Sequence, residues 1–519
     1  MLPKQPTALL LALTGALLLF RLGSVPLTGP DEPRYARVAV EMHRSGELVT
    51  PTLAGQPWLE KPPLYYWLAA AAFAVLGETE TAARLPSVAA ALLLVGGTAF
   101  FGARLYGPHA GLHAGFVTAT APLVFVYGRA AAMDMLLAAM VTGATGLFGL
   151  RFLGLAGRYA VPAAWGLMAL ATLAKGPLGF LLPGLIVAGY ILATRQWRLA
   201  REALSPAGIA LFLLVAAPWH LLVWRDQGRA FVDVFLLNHN VQRFTSTIHR
   251  HPGPFVYYLP VLLVGLFPWS GLVLSGLGIA RPRRSPADVF LLLWLVLPLL
   301  FFSAAGSKLP GYILPCLAPL ALLVGRAAHQ MAVGELNAPA GTGPRAAAML
   351  TLLIACVLAA APLLLRRLGE PDWSLAIPFS AWCFLVGLGF RLWTERNPVS
   401  ALGLLRVGAA GALVLLALAA PPILARRESG RPLFARAGGR EVLVWGASRT
   451  AWMAGYFYND GKVREAAGEE EIAAAAASGP VLVLAGPGER RRLEAAPGLA
   501  VDVLAEGPRG AALLRARRR

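Results

Sequence analysis

Charge is scarce in this 519-residue chain: Asp, Glu, Lys and Arg make up 14% of it, against 57% hydrophobic residues. With a mean hydropathy of +0.62, that balance excludes an ordinary soluble globular protein. Cysteine is almost missing. Cys316, Cys356 and Cys383 lie in apolar segments with no CxxC spacing, which excludes a disulfide framework or zinc ribbon and leaves them as small core residues. Acidic residues are few, 27 against 46 Lys and Arg, for a formal net charge of +19. The excess does not describe a nucleic-acid surface. Its basic residues form short clusters between apolar runs and at the RARRR end, a pattern that sets membrane topology or meets anionic headgroups. Short segments of alternating polarity are also lacking, which excludes a membrane β-barrel.

What is present is a series of apolar runs of about 18–25 residues, the length that crosses a hydrocarbon core of roughly 30 Å. They fall near 8–22, 83–101, 110–127, 133–150, 160–174, 177–194, 205–224, 255–280, 287–304, 311–328, 346–365, 374–393 and 400–425, about thirteen spans of an α-helical polytopic membrane protein. No A-x-A site follows the first run, so it reads as an uncleaved span. Leu64 to Leu76 is too short to cross and reads as an interfacial element. With the N-terminus cytoplasmic, the clusters at 195–201, 281–285, 326–345 and 391–396 are cytoplasmic too, and the first loop, 29–67, faces outward. Beyond 425 the composition changes. EVLVWG (441–446), PVLVLAG (480–486) and LAVDVLAE (499–506) read as short buried strands, with helices near 449–458 and 469–477 between them. Residues 426–519 are thus expected to form a small α/β domain on the outer face, after a membrane domain over 1–425. No GxGxxG or Walker motif occurs in it.

Chemistry-bearing residues concentrate in the first loop, GPDEPRYARVAVEMHRSGELVTPTLAGQPWLEKPPLYYW. Tyr35, Val38, Ala39 and Met42 form an i, i+3, i+4, i+7 stripe, the mark of an amphipathic helix resting on the membrane interface. Asp31 is accounted for locally as the cap of a helix starting near Pro33. That account leaves Glu32, Arg34 and the Glu60-Lys61 pair, flanked by Trp58, Tyr65, Tyr66 and Trp67. Ionisable groups gathered at the mouth of a span bundle are costly unless used, so together they point to a site. Asp134 starts a span, where it caps the helix, pairs with Arg129 or serves the site. Lys175, in LAKGPLGF, is a snorkelling lysine or a site residue. In LNHNVQRFTSTIHRHPGP, His239, His249 and His251 lack any metal-ligand spacing. Arg243 beside Phe244 suits a phosphate headgroup, and Lys308 and Tyr312 add a cation and a phenol in SKLPGYILP.

Taken in order, GPDEPRYA, WLEKPPLYYW, RAAAMD, LAKGP, NHNVQRF with PFVYYLPVLLVGLFPWS, and SKLPGYILP make the chain resemble the bacterial aminoarabinose transferases that modify lipid A. It is similar, too, to the wider family related to protein O-mannosyltransferases. The resemblance runs over roughly residues 8 to 330. It implies the GT-C fold, a polyprenyl-phosphate-linked sugar donor, and transfer to a lipid A, glycan or protein hydroxyl or phosphate at the outer face of the cytoplasmic membrane. Asp31 then looks like the acid that activates the acceptor, and Lys61, Arg243 and Tyr312 like contacts to the donor phosphate. Glu32, Arg34, Glu60, Asp134, Lys175 and Lys308 are further candidates for lining the site. Glu60 and His239 match positions where family members hold a divalent ion, but here Asn240 separates His239 from Val-Gln-Arg, so no metal is assigned and no cofactor is required. The implied reaction is direct displacement with inversion. A lipid or solute transporter is the alternative of another class; no internal repeat supports it, and the charges cluster in loops on one side.

Overall fold

Backbone amides have no partners in hydrocarbon, so apolar spans must be helical. In the computed structural model, which describes residues 4–242, 253–335, 342–364, 366, 373–394 and 397–519, each expected stretch is. The chain runs through α1 (Lys4–Leu19), α2 (Asp31–Ser45), the hairpin β1 (Thr52–Leu53) and β2 (Gln56–Pro57), then α3 (Leu64–Leu76), α4 (Glu80–Tyr106), α5 (Pro108–Ala119), α6 (Pro122–Gly128), α7 (Asp134–Phe152), α8 (Ala160–Lys175) and α9 (Leu178–Thr194). Later helices include Pro206–Gln227, Pro286–Ala304, Leu317–Ala332, Thr342–Leu364, Trp373–Thr394 and Pro398–Glu428. Among the described residues eight helices are long and apolar enough to cross a membrane, or nine if α5 and α6, bent by 61°, make one span. Outward-facing Leu93, Val126, Leu214 and Leu385 are exposed, as a lipid-facing surface requires.

The shorter pieces have local causes. The run at 255–280 is two helices, Tyr258–Gly265 and Leu272–Ile279, because Pro268 has no N–H to continue the ladder. Pro122 likewise opens α6 at its first position, where a missing N–H costs nothing.

Small residues let the helices approach closely. A Cβ on Gly111 of α5 would lie 2.4 Å from the Ala99 carbonyl oxygen and the Ala103 nitrogen of α4, so a methyl there must part the helices. Gly111→Ala is therefore expected to destabilise the detergent-solubilised protein by about 1–3 kcal/mol. Gly184→Ala, whose Cβ would meet nothing within 4 Å, should leave the melting temperature unchanged or slightly higher. Equal melting temperatures for both variants in a thermal-shift measurement would remove the packing argument.

The bundle has two chemically different ends. At one, buried Asp288 accepts from Tyr106 Oη (2.9 Å), Arg326 Nη1 (2.8 Å) and the Arg281 amide (2.7 Å), and Arg151 pairs with Glu202. The other end carries α2, the hairpin, the start of α7, the end of α8 and the Pro310–Cys316 turn.

Above that second end sits a five-stranded sheet in the order β4 (Val463–Glu465), β3 (Val442–Trp445), β5 (Val481–Ala485), β7 (Ala512–Arg518), β6 (Leu499–Glu506). The first three strands are parallel, and β7 runs antiparallel to both of its neighbours. Strand β7 carries the basic RARRR end between β5 and β6, with Leu513 and Leu514 buried on opposite faces.

Helix α2 departs from the expectation of an interfacial helix. Its stripe of Tyr35, Val38, Ala39 and Met42 is buried, but so are Glu32, Arg34 and Arg37 on its other sides. The cause is tertiary: α3 packs on one side and the Arg449–Tyr458 helix on the other. Asp31 is not the cap either. Pro30 holds that position, and Asp31 is the first helical residue.

Candidate active site

Between the start of α2, the Glu60-Lys61 segment, the start of α7, the end of α8 and the Pro310–Cys316 turn lies a cavity of about 540 Å³. Asp31, Lys61, Asp134, Lys175, His239 and Tyr312 all line it. Leu178, Leu181, Leu236, Phe301, Phe302 and Leu309 supply an apolar wall. A cavity that is greasy on one side and ionic on the other suits an amphiphile with a charged head.

The adjacent acids Asp31 and Glu32 have different fates because consecutive helical residues point about 100° apart. Asp31 keeps a half-exposed side chain, with its Oδ1 accepting from Arg34 Nη2 at 2.6 Å. Glu32 turns into the protein. Its carboxylate accepts from Arg84 Nε and Nη2, from the Thr28 amide and hydroxyl, and from the Ala131 amide. Those donors account for both oxygens, so Glu32 is a buried structural acid rather than a cavity residue. Burial pushes its pKa up, but Arg84 and the other donors outweigh it and hold the carboxyl below its ordinary value.

Arg34 stands behind the cavity rather than in it. Its guanidinium reaches Asp31 and, at 3.9 Å, Glu60 Oε2, and it stacks over Trp58 (4.9 Å) and Tyr35 (5.2 Å). One buried cation thus ties the two halves of the first loop together. Tyr35, also in the lining, has its phenol pushed up by burial and then by the Asp31 charge, so it stays protonated as a donor. Glu60 Oε1 lies 3.5 Å from His239 Nε2; folding therefore brings His239 to Glu60 despite the Asn240 spacing. Glu60 and His239 offer two donors, and among the described residues no group of three or more His, Cys, Asp or Glu is poised for a metal.

Across the cavity Asp134 begins α7 and pairs with Lys175 Nζ at 2.5 Å. Arg129, its other expected partner, instead donates to the carbonyls of Leu17, Leu18 and Phe20. Lys175 also sits 4.7 Å from the Tyr312 ring centroid, so it is engaged by an acid and an aromatic face rather than snorkelling. Gly311 permits this approach: a Cβ there would fall 2.8 Å from Asp134 Oδ1 and 2.5 Å from the Tyr127 ring. Lys308 is a correction. It is buried, donates to the Ala305 carbonyl at 2.6 Å and does not line the cavity. Arg243, His249 and His251 lie outside the described residues. Sequence reasoning missed Tyr35 and Ser307 as lining residues and Arg84 as the partner of Glu32. A lone arginine near the start of an apolar run was the available signal for Arg84.

Comparison with known proteins bears on the family and the fold. The family model described as dolichyl-phosphate-mannose-protein mannosyltransferase matches residues 60–224. The undecaprenyl phosphate-alpha-4-amino-4-deoxy-L-arabinose arabinosyl transferase of Pseudomonas aeruginosa (strain UCBPP-PA14) is 36% identical over 396 residues, 74% of this chain and 70% of its own. The protein of that name from Pectobacterium carotovorum subsp. carotovorum (strain PC1) is 36% identical over 334 residues, 62% of this chain and 58% of its own. The crystal structure of ArnT from Cupriavidus metallidurans bound to undecaprenyl phosphate superposes with a TM-score of 0.77 over 98% of this chain and 97% of that one, at 23% identity, which shows the shared fold. The ionic cavity against an apolar wall thus sits on a helical membrane scaffold with a small C-terminal sheet, and the chain belongs to the family of undecaprenyl phosphate-aminoarabinose arabinosyl transferases.

Proposed function

We propose that this enzyme moves 4-amino-4-deoxy-L-arabinose from an undecaprenyl-phosphate donor to a hydroxyl or phosphate of a lipid A-type acceptor. It does so at the outer face of the cytoplasmic membrane, without a required cofactor. The observation that carries the reading is the single cavity in which Asp31 meets Lys61, the Asp134–Lys175 pair and Tyr312 beside an apolar wall. Undecaprenyl phosphate needs both halves: hydrocarbon against Leu178, Leu181 and Phe301, and cations for its head.

In the reaction, an acceptor oxygen bonds to the anomeric carbon as the bond from that carbon to the phosphate oxygen breaks. The electron pair leaves with the lipid phosphate, and a hydroxyl acceptor gives its proton to the Asp31 carboxylate. Lys61 and Tyr312, with Arg243, meet the charge that grows on the departing phosphate. A phosphate ester is already a good leaving group, so no second acid is needed, unlike in a glycosidase. Attack opposite the leaving group inverts the anomeric centre. Lys175, held by Asp134, keeps a positive field in the cavity while the apolar wall excludes water from the sugar.

Mass spectrometry of membrane lipids from cells with and without the protein tests this. The expected result is an aminoarabinose-modified envelope lipid that disappears with the gene. Unchanged lipids and a sugar on protein hydroxyls would point instead to a mannosyltransferase-like acceptor. Within the site, Lys61→Ala is expected to weaken donor binding about tenfold, or ~1.4 kcal/mol, and acceptor binding less. Donor affinity equal to that of the parent protein, measured by calorimetry with undecaprenyl phosphate, would take Lys61 out of the phosphate site.

A further inference from the structure

The C-terminal sheet domain meets α2 through the Arg449–Tyr458 helix and the turn that follows it. The Arg449–Tyr458 helix runs along α2 and ends in Asn459-Asp460-Gly461, where Asp460 (φ +55°) and Gly461 (φ +76°) both take left-handed backbone. Asp tolerates that conformation better than most side chains. The turn delivers one carboxylate oxygen to two arginines of α2: Asp460 Oδ1 lies 2.5 Å from Arg37 Nη1 and 2.6 Å from Arg44 Nη1. Arg37 is itself gripped from below, its Nε donating to Glu41 Oε1 at 2.6 Å. Glu41 in turn accepts from Thr52 Oγ1 and the Ala54 and Gly55 amides of the β1–β2 hairpin.

A second strut secures the segment that leads into α2. Tyr458 Oη donates to Glu80 Oε1 at 3.1 Å and accepts from the Leu27 amide at 2.6 Å, and Arg431 pairs with the same Glu80. Tyr456, Phe457 and Tyr458 pack against the membrane core. Hydrogen bonds from Arg37 and then Arg44 hold the Asp460 carboxyl below its ordinary value.

Energetics separate two explanations of this contact. The Asp460 side chain is 48% exposed, and an ion pair that wet contributes about 0–1 kcal/mol, too little to be what keeps the chain folded. Geometry is another matter. Arg37 lies one helical turn beyond Arg34, the residue that holds Asp31, so a contact that sets the rotation and tilt of α2 sets the position of Asp31. Displacement of a reacting group by roughly 1 Å can cost about 100-fold in rate. We propose that the C-terminal domain is a clamp on the transfer site, with Asp460 the positioning residue that fixes α2 and thereby Asp31. This rests on the assignment of Asp31 above.

The test uses the full-length enzyme in liposomes. Asp460→Asn keeps the left-handed turn, since Asn also accepts it, and removes only the charge. The expected result is a kcat lowered about tenfold with donor KM within about twofold, faster amide exchange in residues 31–45, and an unchanged melting temperature. Parent-like kcat, with or without faster exchange, overturns the clamp and leaves the Asp31 assignment standing. A lowered melting temperature with parent-like kcat per folded molecule also overturns it, by reducing Asp460 to an ordinary stabilising contact. Retained turnover in Asp31→Asn would instead remove the assignment beneath the proposal, and it is read in a separate variant.

Discussion

Asp31→Asn is expected to lower turnover by about 100- to 10,000-fold in a reconstituted assay with a polyprenyl-phosphate sugar, the usual contribution of a positioned general base. That is roughly 3–5 kcal/mol on the barrier. The substitution is nearly isosteric and the side chain is half exposed, so little packing is lost. Arg34, the present partner of Asp31, is not stranded by the change, because Glu60, Trp58 and Tyr35 still surround its guanidinium. Folding should therefore be untouched, as judged by melting temperature and size-exclusion profile. Turnover within about threefold of the parent would show that the acceptor loses its proton elsewhere. Asp134 is the other carboxylate in the cavity, but its bond to Lys175 suits it to holding that cation.

Arg84→Met is expected to produce the largest loss of stability, about 3–5 kcal/mol. Arg84 is 3% exposed and satisfies not only Glu32 but the carbonyls of Leu22, Val25 and Pro26, which close the loop between α1 and α2. Removing it leaves the buried Glu32 carboxylate without its countercharge and three buried carbonyls without their donor. Adding Glu32→Gln should recover part of the loss, since the unpaired charge is then gone. A melting temperature for Arg84→Met within about 1 °C of the parent would contradict the assignment of the pair as the hub of this region. The pair also predicts acid sensitivity. Glu32 has a folded-state pKa below its unfolded value, so its contribution is fully present above the ordinary carboxylate range and is lost as pH falls through the lowered value.

The difference between Asp31 and Glu32 shows where sequence reasoning stops. Both are acids in one turn, and nothing in Gly-Pro-Asp-Glu-Pro tells which faces the cavity. Choosing between them needs the direction of the helix and the location of Arg84, which is 52 residues further on. Lys308 is a similar case: its residue type suits a phosphate, but its ammonium is taken by the Ala305 carbonyl. In α2, the stripe of Tyr35, Val38, Ala39 and Met42 read as the apolar face of a helix resting on the membrane interface, but it is buried within the protein. Burial of Arg34 and Arg37 on the other side could not be read from it, because the covering helix comes from residues 449–458.

His239 shows the same dependence on the fold. Spacing along the chain argued against it, yet the fold puts its ring beside Glu60, since contact across a cavity does not depend on local register.

By itself the sequence determined the membrane class, the apolar helical stretches, the C-terminal sheet and the family, because each of these is written in hydropathy, periodicity and ordered motifs, properties of neighbouring residues. Only the tertiary structure decided which of two adjacent acids lines the cavity, that Asp134 is bound to Lys175 rather than Arg129, and that Asp460 reaches Arg37. Those are contacts between residues distant in the chain, and they depend on how the helices pack.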